Sequence, residues 1–259
     1  MSDERIAPAS VMRVSSAGAA RGEDVVVVEE PLEIRVGDRP VSVTMRTPGD
    51  DFDLAAGFLF TEGIAHEFES IRHWGSPNVV RVAVREPVDL QRLQRHFYST
   101  SSCGVCGKTS IDALRVNASR VLSDARVSSS VIHALPDALR SAQKTFAETG
   151  AIHAAGLFDL DGNLLRVRED VGRHNAVDKV IGSYVRERRA RLDDTILLLS
   201  GRAGFEVVQK SVVAAIPIIA AVGAPSSLAI DLAREFNVTL LGFVRDGRFN
   251  VYAGEERIL

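Results

Sequence analysis

Residues 195–204 read TILLLSGRAG, and this stretch decides how the second half of the chain folds. Its first five residues are a threonine and four aliphatic residues, which predict a strand that is covered on both faces. Its last five residues are small or polar and predict a loop. Residues 205–215 then have the apolar spacing of a helix. A strand, a glycine-containing loop and a helix in this order are typical of an α/β fold.

The same alternation continues on either side of this stretch, and it predicts a mainly parallel sheet with an antiparallel edge. Turn and cap residues mark where each element begins and ends. In chain order, the predicted elements are a helix from Pro136 to Glu148 ended by Gly150, a hairpin over 152–160 and 164–167, a helix over 173–186 capped by Asp170, strands over 195–199, 218–222 and 238–244, helices over 205–215 and 228–236 (the second capped by Ser226 or Ser227), and an edge strand over 249–252.

The first half of the chain predicts a smaller α+β domain. Its predicted elements are a β-branched run over 25–28, a hairpin over 32–36 and 41–45, a helix over 52–60 capped by Asp50 or Asp51, a strand over 79–84 and a helix over 89–98. Residues 1–24 are polar, so we expect a disordered tail there. The predicted domains are therefore 25–127 and 128–259.

Charge and hydropathy exclude several classes of function. The net charge is −3 and the pI is about 6.1, so no general basic field attracts nucleic acid or an anionic membrane. Residues 211–230 carry no charge, but Pro217, Gly223 and Pro225 divide them, which predicts a helix end, a strand and a turn rather than a membrane span. The chain opens without an apolar signal-peptide core, so we expect a cytoplasmic protein.

Three loops follow the predicted parallel strands, at 200–204, 223–225 and 243–248. The carboxyl ends of parallel strands meet at one edge of a sheet, and α/β proteins bind their ligands there. We therefore expect these loops to lie side by side and to form a binding edge.

The residues of these loops suit an anionic ligand. Gly201 and Gly204 let backbone N–H groups approach a ligand at the start of a helix, where anions are favoured. Arg202, Arg245 and Arg248 add guanidinium groups, which bind phosphate through two parallel hydrogen bonds. The edge is predicted to bind a phosphate group.

Residues 99–110 are small or polar and lack apolar periodicity, which predicts a mobile loop. This loop carries the two cysteines of the chain, Cys103 and Cys106. Cysteines at this spacing serve metal binding, thiol–disulfide exchange or sulfur transfer. Zinc and iron–sulfur clusters need more ligands than one such pair supplies, so we predict no metal site. The nearby Lys108 favours a thiolate, which suits both a persulfide carrier and a disulfide-exchange enzyme.

Four blocks of the sequence, in this order, resemble the formate dehydrogenase accessory sulfurtransferase family, FdhD. They are SCGVCG at 102–107, TGAIHAA at 149–155, EDVGRHNAVDK at 169–179 and SGRAGFE at 200–206. The resemblance covers nearly the whole chain after the first 24 residues. A single C-x-x-C pair is a weak signal, whereas four blocks in a fixed order are specific.

The resemblance implies sulfur transfer to a molybdenum cofactor. Members of this family take persulfide sulfur from a cysteine desulfurase and pass it to bis-molybdopterin guanine dinucleotide, which formate dehydrogenase needs in its sulfurated form. Cys103 matches the residue that carries the persulfide, and Cys106 would assist by releasing the sulfur. The resemblance also implies a homodimer.

The resemblance further implies where the molybdenum cofactor binds, with a guanine nucleotide such as GDP as a partial mimic. The segment that matches is Phe243, Val244, Arg245, Asp246, Gly247 and Arg248. Further candidates for binding, taken from two of the blocks, are Arg173, His174, Gly201 and Arg202.

Arg173 and His174 have two interpretations. They begin the predicted helix over 173–186, where they can meet a phosphate. They can equally well pair with Asp170 or Asp178, and both interpretations stay open.

The family's C-terminal domain resembles the cytidine deaminase fold, which raises deamination as an alternative. A zinc deaminase needs a glutamate two residues after its zinc-binding histidine. Here Ala155 stands two residues after His153, and alanine cannot transfer a proton. His153 is therefore expected to be a packed strand residue. Glu206 and Lys210, four residues apart on one helix, are expected to form a stabilising pair.

Two other functions stay open alongside sulfur transfer. The chain could escort the cofactor or the apoenzyme without chemistry of its own, or it could be a thiol–disulfide exchange enzyme.

Overall fold

The computed structural model describes residues 3–85, 118–189 and 191–259. Within these ranges the chain forms twelve strands in three sheets, six α-helices and a short 3-10 helix, a mixed α/β architecture. The strands are β1 (Ile6–Ser15), β2 (Gly18–Val27), β3 (Glu30–Val36), β4 (Arg39–Arg46), β5 (Phe68–Trp74), β6 (Ser76–Val84), β7 (His153–Asp159), β8 (Leu164–Asp170), β9 (Thr195–Leu199), β10 (Ile218–Ala221), β11 (Thr239–Arg245) and β12 (Arg248–Ala253). The helices are α1 (Asp51–Thr61), α2 (Ser129–Ala142), α3 (Lys144–Thr149), α4 (Arg173–Arg186), α5 (Phe205–Val213) and α6 (Ser227–Glu235), and the 3-10 helix is Glu255–Arg257.

The largest sheet has six strands in the order β12-β11-β10-β9-β7-β8. β9, β10 and β11 run parallel, which confirms the predicted parallel core. The prediction of a mainly parallel sheet is nevertheless wrong, because three of the five pairings are antiparallel. The β7–β8 hairpin lies beside β9, and β7 runs opposite to it.

Both faces of this sheet are covered, and the alternation of side chains along each strand explains how. Leu197 and Leu199 pack into the core that contains α4, α5 and α6. Ile196 and Leu198 point to the opposite face, where α2 covers them. Every position of β9 is buried, which explains the four aliphatic residues after Thr195, and the predicted bounds of 195–199 are confirmed.

The second sheet has four strands in the order β4-β3-β6-β5 and packs against α1. Leu54 and Leu59 of α1 face this sheet, whereas Phe60 belongs to the core of the larger sheet. α1 therefore lies between the small sheet and the helices of the large one. The predicted hairpin over 32–36 and 41–45 and the helix over 52–60 are confirmed.

α1 and α4 cross at very short distance. A Cβ atom at Gly57 would overlap the carbonyl oxygen of Asp178, and one at Gly182 would overlap the carbonyl oxygen of Asp53. The absence of a side chain at both glycines is what lets the two backbones touch. This crossing joins the two halves of the chain.

The N-terminus does not form the disordered tail that the sequence predicted. β1 and β2 pair antiparallel over ten residues each, from Ile6↔Val27 to Ser15↔Gly18. The ribbon is largely exposed, with Met12 and Val14 facing solvent. The prediction was wrong because it relied on apolar burial, and this hairpin is held by backbone pairing with little burial.

Three cap predictions also need correction. Asp170 does not cap α4, because Gly172 is its N-cap residue and no side chain caps this helix. The helix expected to begin at Pro136 begins at Ser129, and the Ser128 hydroxyl accepts a hydrogen bond from the Val131 N–H, so Pro136 lies inside α2. Asp50 precedes α1 with φ of 55° and makes no side-chain cap. Two other signals are confirmed: Gly150 ends α3 in the left-handed conformation, and Ser226 caps α6.

Residues 121–127, which the sequence assigned to the first domain, hydrogen-bond to the second half. Val121 donates to the Phe236 carbonyl at 2.9 Å and Val127 donates to the Arg257 carbonyl at 2.9 Å. The likeness of the second half to the cytidine deaminase fold stays a prediction. Residues 211–230 divide into the end of α5, β10 and the start of α6, as predicted. Among the described helices, none has the length and apolarity needed to cross a membrane.

Candidate functional site

The loops after β9, β10 and β11 meet at one edge of the sheet, as the sequence predicted. The Gly223 N–H donates to the Gly201 carbonyl at 3.0 Å, and the Phe243 N–H donates to the Gly223 carbonyl at 3.1 Å. The Ala203 N–H donates to the Ala224 carbonyl at 3.3 Å. These backbone bonds fasten the three loops into one continuous edge.

The glycines of this edge have different roles. A Cβ at Gly223 would lie 3.1 Å from the Gly201 oxygen, and one at Gly242 in β11 would lie 2.8 Å from Cδ of Pro225, so both glycines allow close packing at this edge. At Gly204, by contrast, nothing lies within 4 Å of a Cβ position. Gly204 precedes the first residue of α5, and its surroundings leave room for a ligand to approach the N–H groups of that helix.

β7 and β8 bring further polar residues to the same edge. The Ala154 N–H donates to the Ser200 hydroxyl at 2.9 Å, and the Ser200 N–H donates to the Ala154 carbonyl at 3.0 Å. His153 stands opposite Asp170 in the β7–β8 pairing. Since β7 begins where β9 ends, His153 lies beside the loop after β9, with Nδ1 3.3 Å from the Cβ position of Gly201.

Four basic side chains gather here: His153, Arg173, His174 and Arg202. Partial burial lowers the pKa of His153, and the positive charges of Arg173, His174 and Arg202 lower it further, against the opposing effect of Asp170. The expectation that His153 would be a packed strand residue is corrected by its half-buried position beside these charges. The free site therefore carries an excess of positive charge.

His174 is oriented by a carboxylate from the next helix. Its Nδ1 lies 3.0 Å from Oε2 of Glu206, and the hydrogen bond with His174 lowers the pKa of Glu206. An Nδ1–H that donates to Glu206 leaves Nε2 available to a ligand. The predicted Glu206–Lys210 pair is wrong, because Lys210 turns to Asp178 and Glu62 instead.

Arg173 has unused hydrogen-bonding capacity. Its Nε is buried and, within the described ranges, has no hydrogen-bond partner. The alternative that Arg173 or His174 pairs with Asp170 or Asp178 does not hold in the structure. Those two carboxylates are engaged by lysines, at 2.7 Å from Lys179 and 3.0 Å from Lys210 respectively.

The two lysine–aspartate pairs lie behind the edge, at the junction between the two halves of the chain. Asp170 also accepts the Thr47 N–H at 3.2 Å, and Lys179 donates to the Thr47 carbonyl at 2.9 Å. Lys210 donates to the Thr61 hydroxyl at 3.0 Å. Burial lowers the pKa of Lys210, but Asp178 and Glu62 outweigh it, so the pKa is raised and the ammonium stays charged.

The block EDVGRHNAVDK therefore contributes to two places. Asp170, Asp178 and Lys179 hold the junction, whereas Arg173 and His174 face the edge. The sequence identified the block but not this division. Of the residues at the edge, sequence reasoning missed Glu206 and His153 as parts of the site. The signal for His153 was its place in a second block, TGAIHAA at 149–155.

The segment from Phe243 to Arg248 lies farther along the same edge. Phe243 has φ of 55° and Asp246 has φ of 53°, an uncommon conformation for residues other than glycine. Arg245 and Arg248 are exposed, and the Arg245 guanidinium lies 5.7 Å from the Phe243 ring centroid. β11 is three strand positions from β7, or about 14 Å. The structure thus separates the predicted binding residues into two clusters.

The two cysteines, their predicted mobile loop and the predicted helix over 89–98 lie outside the described residues. The residues on either side of this interval make defined contacts with the rest of the chain. The Arg85 N–H donates to the Glu67 carbonyl at 3.2 Å, and Ala118 lines a groove together with Phe60 and His66. Both ends of the interval 86–117 are therefore anchored beside the turn that follows α1. The prediction that no metal is bound stays a prediction.

Comparison with known proteins places these features in a family. Residues 27–259 match the model of the FdhD/NarQ family. A protein from Streptomyces avermitilis named sulfur carrier protein FdhD is 48% identical, with 96% of this chain and 94% of that protein covered. One of the same name from Sulfolobus acidocaldarius is 42% identical, with 98% and 99% covered.

A solved structure is similar to this one over its whole length. It is a formate dehydrogenase accessory protein from Desulfotalea psychrophila, with a TM-score of 0.82 and 26% sequence identity. The match covers 98% of this chain and 100% of that one.

Proposed function

The chain belongs to the FdhD/NarQ family, and from this premise we propose that it is a sulfur carrier protein that supports formate dehydrogenase. Relatives with 42% to 48% identity over nearly their full length carry the name sulfur carrier protein. The C-x-x-C pair supplies the chemistry that this name requires, since a thiolate can accept a sulfur atom as a persulfide.

The first step loads sulfur onto Cys103. The Cys103 thiolate attacks the outer sulfur of a persulfide on the donor, a cysteine desulfurase. A bond forms between Cys103 and that sulfur, the donor's sulfur–sulfur bond breaks, and the donor leaves as a thiolate. The product is a Cys103 persulfide, and no net oxidation or reduction occurs.

The second step releases the sulfur. The Cys106 thiolate attacks the inner sulfur of the persulfide, so that a Cys103–Cys106 disulfide forms and hydrosulfide departs. The cysteine pair gives up two electrons as the disulfide forms, and the outer sulfur takes them and leaves as hydrosulfide. A cellular thiol reductant must then reduce the disulfide before the next cycle.

The substrate that receives the sulfur is the molybdenum bis-molybdopterin guanine dinucleotide cofactor. Its phosphate groups suit the basic cluster of Arg173, His174 and Arg202, together with the N-terminus of α5 after Gly204. Its guanine nucleotide portion suits the segment from Phe243 to Arg248. A local cluster is needed because the chain as a whole carries a net charge of −3.

The observation that carries this proposal is that α5 connects the basic edge to the anchors of the cysteine-containing interval. Lys210 of α5 contacts Thr61 and Glu62 at the end of α1. The residues that follow α1 contact both ends of the interval 86–117, at Arg85 and Ala118. α5 is about 13 Å long, and its other end opens on the edge. Cys103 is fifteen residues from Ala118, a chain length that spans at most about 50 Å. The length of this segment therefore allows contact between Cys103 and a cofactor bound at the edge.

The same proposal includes a setting and a set of partners. The carrier works in the cytoplasm, where free thiols persist, and it meets a cysteine desulfurase as donor and formate dehydrogenase as the destination of the cofactor. We expect a homodimer, and we expect binding to neither membranes nor nucleic acid.

Mass spectrometry of the cysteine-containing peptide tests this function. After incubation with a cysteine desulfurase and cysteine, Cys103 should gain the mass of one sulfur atom, and a reductant should remove it. Cys103→Ala should abolish both this gain and the activation of formate dehydrogenase. Cys106→Ala should still load sulfur but should deliver it poorly, so the persulfide should accumulate.

Two other outcomes would contradict sulfur transfer. A thiol–disulfide enzyme would lose turnover with either substitution and would never retain an added sulfur atom. An escort protein without chemistry would activate formate dehydrogenase normally in cells when Cys103 is alanine.

A further inference from the structure

His153 is a titratable group that the sulfur-transfer steps do not use. It lies half-buried at the first position of β7, with Nδ1 3.3 Å from the Cβ position of Gly201. Within the described part of the chain, neither ring nitrogen makes a hydrogen bond. The imidazole therefore has two nitrogens without a hydrogen bond and lies beside basic side chains. Its protonation can change when an anion binds at this edge.

The groups that face His153 come from three elements. Arg173 and His174 lie at the start of α4, Arg202 lies in the loop after β9, and Asp170 lies at the end of β8. Asp170 already has a full counter-charge, because Lys179 is 2.7 Å away. Glu206 of α5 is similarly engaged by His174. The two arginines are thus the charges left without an acidic partner close to His153.

These charges make His153 harder to protonate in the free protein and easier to protonate in the complex. Burial and the neighbouring positive charges lower the pKa of His153, so the ring is neutral at pH 7. A phosphate dianion between the two arginines would reverse the sign of the local field. The protonated ring could then donate a hydrogen bond to a phosphate oxygen, a charge-assisted bond of the stronger kind.

We propose that His153 takes up one proton from solvent when a doubly charged phosphate or diphosphate group binds at this edge, and that it thereby determines which charge state of the ligand is preferred. This inference rests on the proposed binding of the cofactor's phosphates at the edge. It adds a specificity-determining residue that the sulfur-transfer mechanism does not require.

Calorimetry with GDP at pH 7 and pH 8, in buffers of different ionisation enthalpy, measures this proton uptake. In this range the terminal phosphate is mostly doubly ionised, so a linked proton belongs to the protein. Because binding takes up as much as one proton, the affinity for GDP should fall as the pH rises. GDP should bind two- to tenfold more tightly at pH 7 than at pH 8. His153→Asn should abolish the pH dependence, whereas His73→Asn, an exposed histidine on β5, should retain it.

Nuclear magnetic resonance titration of the histidine rings in the wild-type protein shows which residue takes up the proton, without the need for a variant. With pyrophosphate or GDP bound, the ring of His153 should titrate at higher pH than in the free protein. If His174 titrates instead, or if ligand binding leaves both rings unchanged, the inference is wrong.

The outcomes also separate this inference from the proposed function. If GDP binds with no proton uptake, the edge is assigned correctly and only the role of His153 fails. If pyrophosphate binds with proton uptake and GDP does not bind, the role of His153 stands and the guanine nucleotide assignment fails. If neither binds, both are overturned.

Discussion

The junction between α1 and α4 and the edge of the six-stranded sheet take their charged residues from the same stretch of sequence. At the junction, Asp170 and Asp178 are fully buried and each has a lysine at hydrogen-bonding distance. At the edge, Arg173 begins α4, three residues after Asp170 and five before Asp178, and it keeps a buried Nε without a partner among the described residues. The buried charges of the junction are paired with opposite charges, whereas the edge keeps positive charge without an acidic partner.

This difference separates structure from function inside one motif. A buried charge without a partner is costly, so the junction pairs every charge that it encloses. A site that binds an anion must instead keep positive charge available, because the ligand supplies the counter-charge. Changes at the junction should therefore reduce stability, and changes at the edge should reduce binding.

Lys210→Met should have the largest effect on stability. The variant leaves Asp178 buried without its cation, and breaking such a pair costs about 3–5 kcal/mol. Chemical denaturation measures the loss, and Lys144→Met, at an exposed position, is the control with a change of about 0.5 kcal/mol or less. The double variant with Asp178→Asn should lose less than the sum of the two single variants. Additive losses would mean that the pair does not stabilise the junction.

Gly182→Ala should lower the free energy of unfolding by somewhat less, about 3 kcal/mol, because α1 and α4 must move apart to admit the methyl group. Gly204→Ala is the matched control, because its Cβ meets open space, and its cost should stay below about 1 kcal/mol. Thermal or chemical denaturation of both variants makes the comparison. Equal stabilities would show that the close crossing of the two helices is not needed.

The sequence predicted the edge better than it predicted the junction, and the reason is physical. Strand, loop and helix signals at 195–215 are local, and the meeting of parallel strand ends follows from topology. The junction depends on contacts between residues far apart in the chain, such as Thr61 and Asp178, which are separated by 117 positions. Helical spacing predicted a Glu206–Lys210 pair, but each of them found a partner on another element. The cysteines, which the sequence singled out most clearly, lie outside the described residues.

Arg173→Ala tests the edge directly. We expect GDP to bind roughly 10- to 100-fold more weakly, because a hydrogen-bonded guanidinium contributes about 1.5–3 kcal/mol to binding a charged group. Arg186→Ala, at the other end of α4, removes a partner of Asp53 and should leave GDP binding unchanged. Titration calorimetry compares them. If both variants bind GDP like the wild type, the phosphates do not bind at the start of α4.

Arg245→Ala and Arg248→Ala should have the smallest effect, about two- to tenfold weaker GDP binding at low salt. Both side chains are exposed, so their charges are screened by water and by ions, unlike the half-buried Arg173. Raising the salt concentration should therefore remove most of the effect of these two substitutions while much of the effect of Arg173→Ala persists. Sulfur loading on Cys103 should be unchanged in both variants, because the loading step involves only the donor and the thiolate. If both variants bind GDP as tightly as the wild type at low salt, the segment from Phe243 to Arg248 is not a binding site. The ligand would then be held entirely by the cluster around His153.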